Sequence, residues 1–517
     1  MERLGPEIIS LIVDRVWRRY YKTCATISRA FQHEVERRTF RSLELYSAED
    51  IAVLSRLLSR FPGRRFYLRE IKLASLPQTM PSGRFSQHPL TFRNDVAALL
   101  AALHRCDEED ERAGVPTDPM ICLVLRPGWG SRVPMDEADE GILGLDQVHV
   151  PSACLPAFPE WTLLEDPSPP PLPSSRRVRE LRVENAGVHP IAVAQFASAM
   201  PQLETLYFFC YDPAIGRHQA RLAQRDALAR ALNSLCGKLP RLKDLEIHRI
   251  EYHSVSNHSL ACQRLVDAEG IDLVCEAVRK LAQPTVEKLC LSNWLISADL
   301  FLDKRDPSAV KTWPRLEDLD VSSSVMAPNG KWYVTGQPSD EPFDPAPHPD
   351  DTLRFMANMD AKAGMGTEPA GAGTARENGA DMHHRWRLHV DSNMMDPLLE
   401  SLTEAVTQHM PKRREVKFLI GGPSQDNRNG PRGPSLAVLY DERFEDDQRL
   451  WNVQRKGNFR EWRIPQSLRD AWQYLLIQDF EMKPEPGTEV QDEVMDSSAD
   501  EDEVDAGGDM SSDSEMN

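Results

Sequence analysis

Four residues of the chain have side chains that commonly bind metal ions and lie near one another in the sequence: His248, His253, His258 and Cys262. Histidine nitrogen and cysteine sulfur are the usual ligands of zinc, so this group is the first candidate for chemistry. The intervals are five, five and four residues. The set does not match zinc-finger spacing, and its two five-residue intervals do not place the histidines on one helical face as four-residue steps would. We therefore interpret the group as loop and surface histidines, and we expect no metal or other cofactor.

The motifs of common enzymes are absent from the sequence. It contains no G-x-S-x-G elbow, no G-x-x-x-x-G-K-[ST] phosphate loop, no H-E-x-x-H pair and no C-x-x-C pair. Cys24 lies near His33 in the sequence, but it falls on the apolar face of a predicted helix, where cysteine is usually a small buried residue rather than a nucleophile. We predict that the protein is not an enzyme. A hydrolase built on the α/β region is the weaker alternative.

The negative charge of the chain is concentrated at one end. The formal charge is −19, and residues 484–517 contain thirteen Asp or Glu and no Lys or Arg, which leaves −19 + 13 = −6 for the rest. So small a net charge does not indicate the broad basic surface that nucleic-acid binding needs. No apolar run approaches the length of about 18 residues that a membrane span requires. We predict a cytoplasmic or nuclear protein with neither nucleic acid nor membrane as a partner.

Residues 4–40 have the clearest helical spacing in the chain. Apolar residues recur there at steps of three and four, which places them on one face of a helix. The first run consists of Leu4, Ile8, Ile9, Leu11, Ile12 and Val16, and the second of Cys24, Ile27, Phe31 and Val35. Pro6 occupies a first-turn position, where its missing N–H costs nothing. Helices this short bury little area, so part of their apolar face is expected to meet another surface.

This segment resembles the F-box motif, which is roughly Leu-Pro-x-Glu, two spaced apolar residues and then Val-Ser-x-x-Trp. The positions that follow the motif here are Leu4, Glu7, Ile12, Val16, Ile27, Ser28 and Phe31. Gly5 replaces the proline, which comes one position later as Pro6, and residues 17–21 lack the usual Asp-Leu-Leu. The remaining chain is similar to a fungal F-box family whose large C-terminal region has no assigned activity.

The resemblance implies a role in ubiquitin conjugation. F-box proteins of this type dock on a Skp-type adaptor of a cullin ubiquitin ligase (SCF) through the N-terminal helices, and the remainder recruits a protein substrate. The implied adaptor-binding residues are Leu4, Pro6, Ile8, Ile12, Val16, Ile27 and Phe31. Two alternatives remain open. The helices could pack on the chain's own core, and the protein could be a repeat scaffold for protein–protein interaction with no ligase role.

An internal repeat follows residue 177. Each copy has a proline with apolar residues two, five and seven positions later. Four complete copies begin at Pro201, Pro240, Pro284 and Pro314. A fifth copy begins at Pro411 and has Arg413 in the first apolar position. A weaker copy lacks the proline and consists of Val178, Leu181 and Val183. The segments before the prolines have helical spacing, so each proline ends a helix and leads into a strand. The strand pattern resembles a leucine-rich repeat, with a doubly wound α/β domain as the alternative.

Other elements follow from shorter patterns. We predict strands at residues 43–45, 66–68, 71–73, 121–125 and 436–440, and helices at 51–58, 92–103 and 467–480. Pro328, Gly330, Trp332 and Tyr333 predict a turn followed by a strand at residues 331–334. Trp451, Trp462 and Trp472 are interpreted as core or capping residues rather than as a peptide pocket.

The predicted fold class is α/β, with seven parts. They are an F-box-like helical domain (1–45), a first α/β segment (46–164), a proline-rich linker (165–177), an irregular leucine-rich-repeat-like solenoid (178–335), a disordered insertion (336–384), a C-terminal α/β and cap segment (385–482) and a disordered acidic tail (483–517).

Overall fold

A computed structural model of the chain describes residues 4–74, 78–79, 85–86, 89–116, 118, 120–126, 171–184, 188–212, 218–250, 262–306, 312–337, 387, 389–421, 435–441, 450–472 and 475–480. All of these belong to one compact unit, which spans residues 1–480. The predicted acidic tail and most of the predicted insertion lie outside the described residues. So do residues 353–359 of the insertion, for which the sequence pattern predicts a short helix. None of the helices in the described part has the length and apolar character needed to cross a membrane.

Three short helices open the chain: α1 (Pro6–Arg15), α2 (Tyr21–Ile27) and α3 (Arg29–Thr39). Ser28 caps α3, because its side chain accepts a hydrogen bond from the backbone N–H of Phe31. The helices share a small core of their own, separate from the main one, formed by Ile9, Val13, Cys24, Phe31 and Val35. We refer to α1, α2 and α3 together as the helical trio.

In the part of the chain that the structure describes, the main body is a twelve-stranded sheet whose strands follow one another in chain order. Nine neighbouring strands are parallel. They are β1 (Ser42–Leu45), β2 (Glu70–Leu73), β5 (Ile121–Leu125), β6 (Val178–Val183), β7 (Thr205–Tyr211), β8 (Asp244–Ile250), β9 (Lys288–Trp294), β10 (Asp318–Ser323) and β13 (Glu415–Ile420). Two further pairs, β3 (Gln78–Thr79) with β4 (Phe85–Ser86) and β11 (Val334–Thr335) with β12 (His389–Val390), form separate two-stranded sheets. A doubly wound sheet reverses its strand order once, and the described strands contain no such reversal.

The predicted repeat determines the register of this sheet. Residues at the second repeat position are aligned across neighbouring strands, from Leu181 through Leu206, Leu245, Leu289 and Leu319 to Val416. Residues at the third position form a second aligned row, from Val183 through Phe208, Ile247, Leu291 and Val321 to Phe418. All of these side chains are buried, so the repeat is confirmed as the pattern that fills the core.

Helices cover the face of the sheet onto which these apolar rows point. They are α4 (Ala48–Arg60), α5 (Pro89–Arg112), α6 (Pro190–Ser198), α7 (His218–Leu235), α8 (Leu273–Ala282) and α9 (Ser392–Glu404). Helix α4 contacts α5, α6 contacts α7, and α7 contacts α8. The rings of Phe92 in α5 and Phe196 in α6 meet edge to face at 6.2 Å between centroids. The helices predicted before Pro201, Pro240, Pro284 and Pro411 are therefore confirmed, whereas the described residues between β9 and Pro314 contain only a 3₁₀ turn over Ala298–Leu300. The opposite face of the sheet carries no helix among the described residues.

The sheet ends in strands of mixed direction. Strand β14 (Ser435–Asp441) is antiparallel to β13 and to β15 (Leu450–Lys456), and β16 (Leu475–Phe480) is parallel to β15. The prediction of one helix over residues 467–480 is wrong beyond its first turns, because α10 (Gln466–Ala471) ends there and the chain then pairs with the edge of β15. Trp451 and Trp472 are buried and stacked at 5.4 Å, which confirms their interpretation as core residues.

Of two other local predictions, the strand at residues 66–68 is wrong and the turn at residues 327–330 is confirmed. Residues 66–68 do not form a strand, because a 3₁₀ helix runs over Pro62–Tyr67. Its Arg65 is buried and donates hydrogen bonds to Leu58 O and Asp110 Oδ1, both at 2.8 Å, which holds this turn against α4 and α5. The turn at residues 327–330 is confirmed, with Gly330 at φ +84°, but the strand after it is limited to β11.

The last three residues of the predicted linker, 175–177, are packed against α5 and are part of the folded body. Ser175 is buried and donates a hydrogen bond from Oγ to Asp107 Oδ2 at 3.1 Å, and Arg176 N donates to the same oxygen at 2.8 Å. Arg177 contacts Asp107 Oδ1 through Nε at 2.7 Å and also pairs with Asp110. Burial raises the pKa of Asp107, while the bonds from Arg176 and Arg177 oppose that rise. Residues 175–177 are therefore held in place by buried polar contacts.

Candidate partner-binding surfaces

Exposed apolar side chains are concentrated in the helical trio. Among the described residues, seven of the eleven large apolar side chains with high exposure lie within residues 4–27. They are Leu4, Ile8, Leu11, Ile12, Trp17, Tyr20 and Ile27, and we call them the N-terminal apolar surface. Ile8, Leu11 and Ile12 share one face of α1, because they are three and four positions apart. Apolar side chains grouped in this way commonly mark a binding surface.

One face of α1 is buried in the core of the trio and the other is exposed to solvent. Ile9 and Val13 point into the core of the trio, where they meet Cys24, Phe31 and Val35. Ile8 and Ile12 point away from it and are exposed. Because the small core is already filled, the outer residues are not needed to hold the three helices together. The exposed face is thus free to contact another protein.

The predicted adaptor-binding residues divide into two groups. Leu4, Pro6, Ile8, Ile12 and Ile27 are exposed, and Val16 is half-buried against the core of the trio. The structure corrects the prediction for Phe31. Only 3% of this residue is exposed, so it cannot contact a partner in this conformation. Its position in the first turn of α3, four residues before the buried Val35, directs its side chain inward. Phe31 holds the trio together instead.

Sequence reasoning missed three members of this surface: Leu11, Trp17 and Tyr20. Trp17 is the most exposed of them, at 70%, and it precedes a 3₁₀ turn over Arg18–Tyr20. Arg19 lies over both rings, 5.4 Å from the centroid of Trp17 and 4.9 Å from that of Tyr20. The signal that could have found Trp17 and Tyr20 is the group of aromatic residues between the two amphipathic runs, and Leu11 already belonged to the first run.

The trio is fixed to the sheet through α3. Arg64 donates a hydrogen bond from Nη2 to Glu36 Oε1 at 2.7 Å and lies over the ring of Phe40. His33 meets Tyr67 edge to face at 5.3 Å. Within the trio, Arg38 Nη2 donates to Ser10 O at 3.0 Å and so joins α3 to α1. These contacts hold the N-terminal apolar surface in a defined position next to the first strands.

A second candidate surface is the face of the sheet that carries no helix, which we call the open face. At its centre the rings of Tyr207, Phe209 and His248 contact one another, with centroids 4.9 to 5.3 Å apart. Arg182 lies over Tyr207 at 5.7 Å. Burial raises the pKa of Tyr207 to about 12, so its hydroxyl stays protonated at neutral pH. Aromatic and arginine side chains grouped in this way are common in protein-binding surfaces.

Charges of both signs surround these rings. The residues that follow the second repeat position are aligned across the strands in the order Arg182, Tyr207, Glu246, Cys290, Asp320 and Lys417. His248, and after it Lys288, lower the pKa of Glu246 to about 2. Burial raises the pKa of Asp320. This alternation of sign suits a peptide or protein partner better than a uniformly anionic polymer.

The histidine group singled out in the sequence is only partly described. His253 and His258 lie outside the described residues, and Cys262 contacts the carbonyl oxygens of Ala327 and Lys331 at 3.8 and 3.5 Å. His248 instead lies near Glu246 and Cys290 on the open face. Cys24 is buried in the core of the trio, as its apolar spacing predicted.

Comparison of the chain with models of known protein families found no match. Comparison with curated proteins found no match either. The functional proposal therefore rests on the sequence pattern and on the geometry of these two surfaces.

Proposed function

We propose that the protein is a non-catalytic, substrate-recruiting F-box subunit of a cullin-type (SCF) ubiquitin ligase. In this proposal the helical trio is an F-box-like unit that docks on a Skp-type adaptor through the N-terminal apolar surface. The observation that carries it is that motif positions Leu4, Ile12 and Ile27 are exposed on helices whose own core is already filled. A partner that covers such a surface removes its apolar area from water, and this stabilises the complex by about 25 cal/mol for each Å² of apolar area buried.

The remainder of the chain would recruit the substrate. We propose that the sheet and its helices form an irregular leucine-rich-repeat-like solenoid, because the strands follow in chain order and the helices cover one face. Its open face would bind a protein substrate around Tyr207, Phe209 and Arg182. Holding that substrate beside a separately supplied, ubiquitin-charged enzyme raises the effective concentration of the two reactants, so this subunit needs no catalytic group of its own.

The test is co-purification of the full-length chain with its host's Skp-type adaptor and cullin. The wild type is compared with Ile8→Asp/Ile12→Asp, which places two charges on the N-terminal apolar surface. The matched control is Val53→Asp/Leu476→Asp, which changes two equally exposed apolar residues outside the trio. We expect stoichiometric capture by the wild type and the control, and loss of capture by the first variant. Equal capture by all three proteins would contradict docking through this surface.

The alternative is a repeat scaffold that binds a protein partner without any ligase. The departure of residues 17–21 from the usual motif favours it, because the Asp-Leu-Leu of the motif is missing there. A wild-type chain that is folded and still captures no adaptor would favour this alternative. The open face would then be the main binding surface of the protein.

A further inference from the structure

Three residues of different chemistry meet on the open face, on two neighbouring parallel strands. Glu246 in β8 is paired in register with Cys290 in β9, and His248 lies two positions after Glu246 on the same face. One ligand atom from each residue, namely a carboxylate oxygen, the sulfur and a ring nitrogen, lies within 4.8 Å of the other two. All three residues are half-buried.

We propose that Glu246, His248 and Cys290 form a binding site for Zn²⁺. Imidazole, thiolate and carboxylate are the three protein ligands that zinc prefers. Glu246 Oε2 and His248 Nε2 are 3.7 Å apart, close to the separation of about 3.4 Å between two ligands of a tetrahedral zinc with bonds of about 2.05 Å. The proposal is independent of adaptor docking, because the site lies on the sheet and not in the trio.

A second observation points to a ligand at this position. His248 Nε2 is buried and makes no hydrogen bond to the described residues. Glu246 Oε2 lies 3.7 Å from it, beyond hydrogen-bond distance, and a buried ring nitrogen that makes no hydrogen bond costs about 1–3 kcal/mol. The ring itself is held by Tyr207 at 4.9 Å and Phe209 at 5.3 Å, which keeps Nε2 directed toward Glu246. A metal ion between the two would supply the missing partner.

Lys288 positions the carboxylate for this role. Its Nζ lies 3.2 Å from Glu246 Oε1, and that contact leaves the other oxygen, Oε2, beside His248. Glu246 would therefore bind the metal through Oε2 alone and keep its ion pair through Oε1. Contacts of this kind to a ligand's second atom orient the ligand. The side chain of Lys288 is about half exposed, so its charge is largely screened by water.

The ligand set also selects the metal. One sulfur and one imidazole favour zinc and other soft divalent ions, whereas Mg²⁺ and Ca²⁺ prefer oxygen ligands only. Binding requires the thiolate of Cys290, so the S–H bond breaks, the sulfur donates its electron pair to Zn²⁺ and the proton passes to solvent. Three protein ligands leave the fourth position of a tetrahedral zinc to a water molecule.

The chain contains a matched control for this site. Cys122 in β5 is paired in register with Glu180 in β6, just as Cys290 is paired with Glu246. Two positions after Glu180 stands Arg182, where the proposed site has His248. Cys122 and Cys290 are both half-buried. The two places differ chiefly in the histidine, so zinc should bind at Cys290 and not at Cys122.

The experiment measures binding of Zn²⁺ and Co²⁺ to the full-length chain, purified with a chelator and then freed of it. The variants are His248→Phe, which keeps the aromatic packing but removes both nitrogens, and Cys290→Ala. The controls are Cys122→Ala and Cys236→Ala. Cys236 is an exposed cysteine that directly follows α7. Circular dichroism checks that every variant has the wild-type fold.

We expect the wild type to bind one Zn²⁺ per chain with micromolar or tighter affinity, and Co²⁺ with a thiolate-to-metal charge-transfer band. His248→Phe and Cys290→Ala should each weaken zinc binding at least tenfold, as expected for loss of a ligand, and Cys290→Ala should abolish the band. Both controls should bind as the wild type does. Absence of micromolar zinc binding by the folded wild type, or equal losses in Cys290→Ala and Cys122→Ala, would overturn the proposal.

Discussion

Ile8 and Ile9 are neighbours in α1 and have opposite environments. Ile8 is 47% exposed, whereas Ile9 is 4% exposed and packs in the core of the helical trio. The same residue type therefore faces solvent at one position and packs in a core at the next. This contrast allows the two faces of α1 to be tested separately by single substitutions.

The first prediction is that Ile9→Asp opens the helical trio and Ile8→Asp does not. A carboxylate at position 9 would lose its hydration in an apolar core, at a cost of several kcal/mol. At position 8 it stays in water, and the stability should change by no more than about 0.5 kcal/mol. Hydrogen exchange of the α1 amides measures both effects. Equal protection of α1 in the two variants would show that the trio does not depend on this core.

The second prediction concerns a buried group of charges. Asp212 Oδ2 accepts hydrogen bonds from Arg221 Nη2 and Arg249 Nε, both at 2.8 Å, and all three side chains are nearly inaccessible to solvent. Asp212→Asn removes the negative charge and leaves two buried guanidinium groups without it. We expect a loss of about 3–5 kcal/mol in the free energy of unfolding.

The control for that substitution is Asp226→Asn. Asp226 pairs with Arg230 at 3.0 Å on the exposed side of α7, where both side chains are more than half exposed. An exposed pair of this kind contributes about 0.3–0.5 kcal/mol. Chemical unfolding of the two variants compares the effects. A similar loss in the free energy of unfolding of both variants would mean that burial does not make the Asp212 ion pairs more stabilising than the exposed pair.

The third prediction is the pH dependence that Asp212 gives the folded state. Burial alone would raise its pKa, but Arg249 and Arg221 outweigh burial and lower the pKa to about 2, from an ordinary value of 3.8. A pKa depressed by folding means that the stabilisation is complete above about pH 4. It is lost as the pH falls from about 4 toward 2, and amounts to about 2 kcal/mol in total.

Urea unfolding between pH 5 and pH 2 measures this dependence. The wild type should lose stability more steeply over that range than Asp212→Asn, because the variant has no proton to bind at position 212. Parallel curves for the two proteins would contradict the assignment of the acid dependence to Asp212.

The register of the repeat could be predicted from the sequence. This register determines the core residues and also which residues are neighbours on the open face. Once Leu245 and Leu289 are placed at the same repeat position, the residues after them, Glu246 and Cys290, must lie side by side. His248 then falls on the same face two positions later. The histidine spacing along the chain did not show this group, because its members come together across strands and not along one segment.

Other features depend on contacts that the sequence does not display. Residues 66–68 have the composition of a strand, but the buried bonds of Arg65 to α4 and α5 favour a 3₁₀ turn. Residues 475–480 have apolar spacing compatible with a helix, but the free edge of β15 offers backbone partners along its length. In both cases tertiary contacts override a local preference of a few tenths of a kcal/mol per residue.

The last prediction concerns the turn before β11. Gly330 has φ +84°, a conformation that costs a residue with a side chain about 1–2 kcal/mol. A Cβ at this position would also lie 3.2 Å from the backbone nitrogen of Arg264, which cannot move aside as a flexible side chain would. Gly330→Ala should therefore lower the free energy of unfolding by at least about 1–2 kcal/mol.

The control for the turn is Gly63→Ala. Gly63 has no positive φ, and a Cβ added there would meet no atom within 4 Å, so alanine at this position should be neutral or slightly stabilising. The turn at Gly330 also places Tyr333, whose hydroxyl donates a hydrogen bond to Ile296 O at 2.5 Å inside the core. A strained turn would displace that hydroxyl, so hydrogen exchange should increase around β11 in Gly330→Ala and stay unchanged in Gly63→Ala. Equal stability of the two variants would mean that the turn tolerates a side chain and that the glycine is not required for the fold.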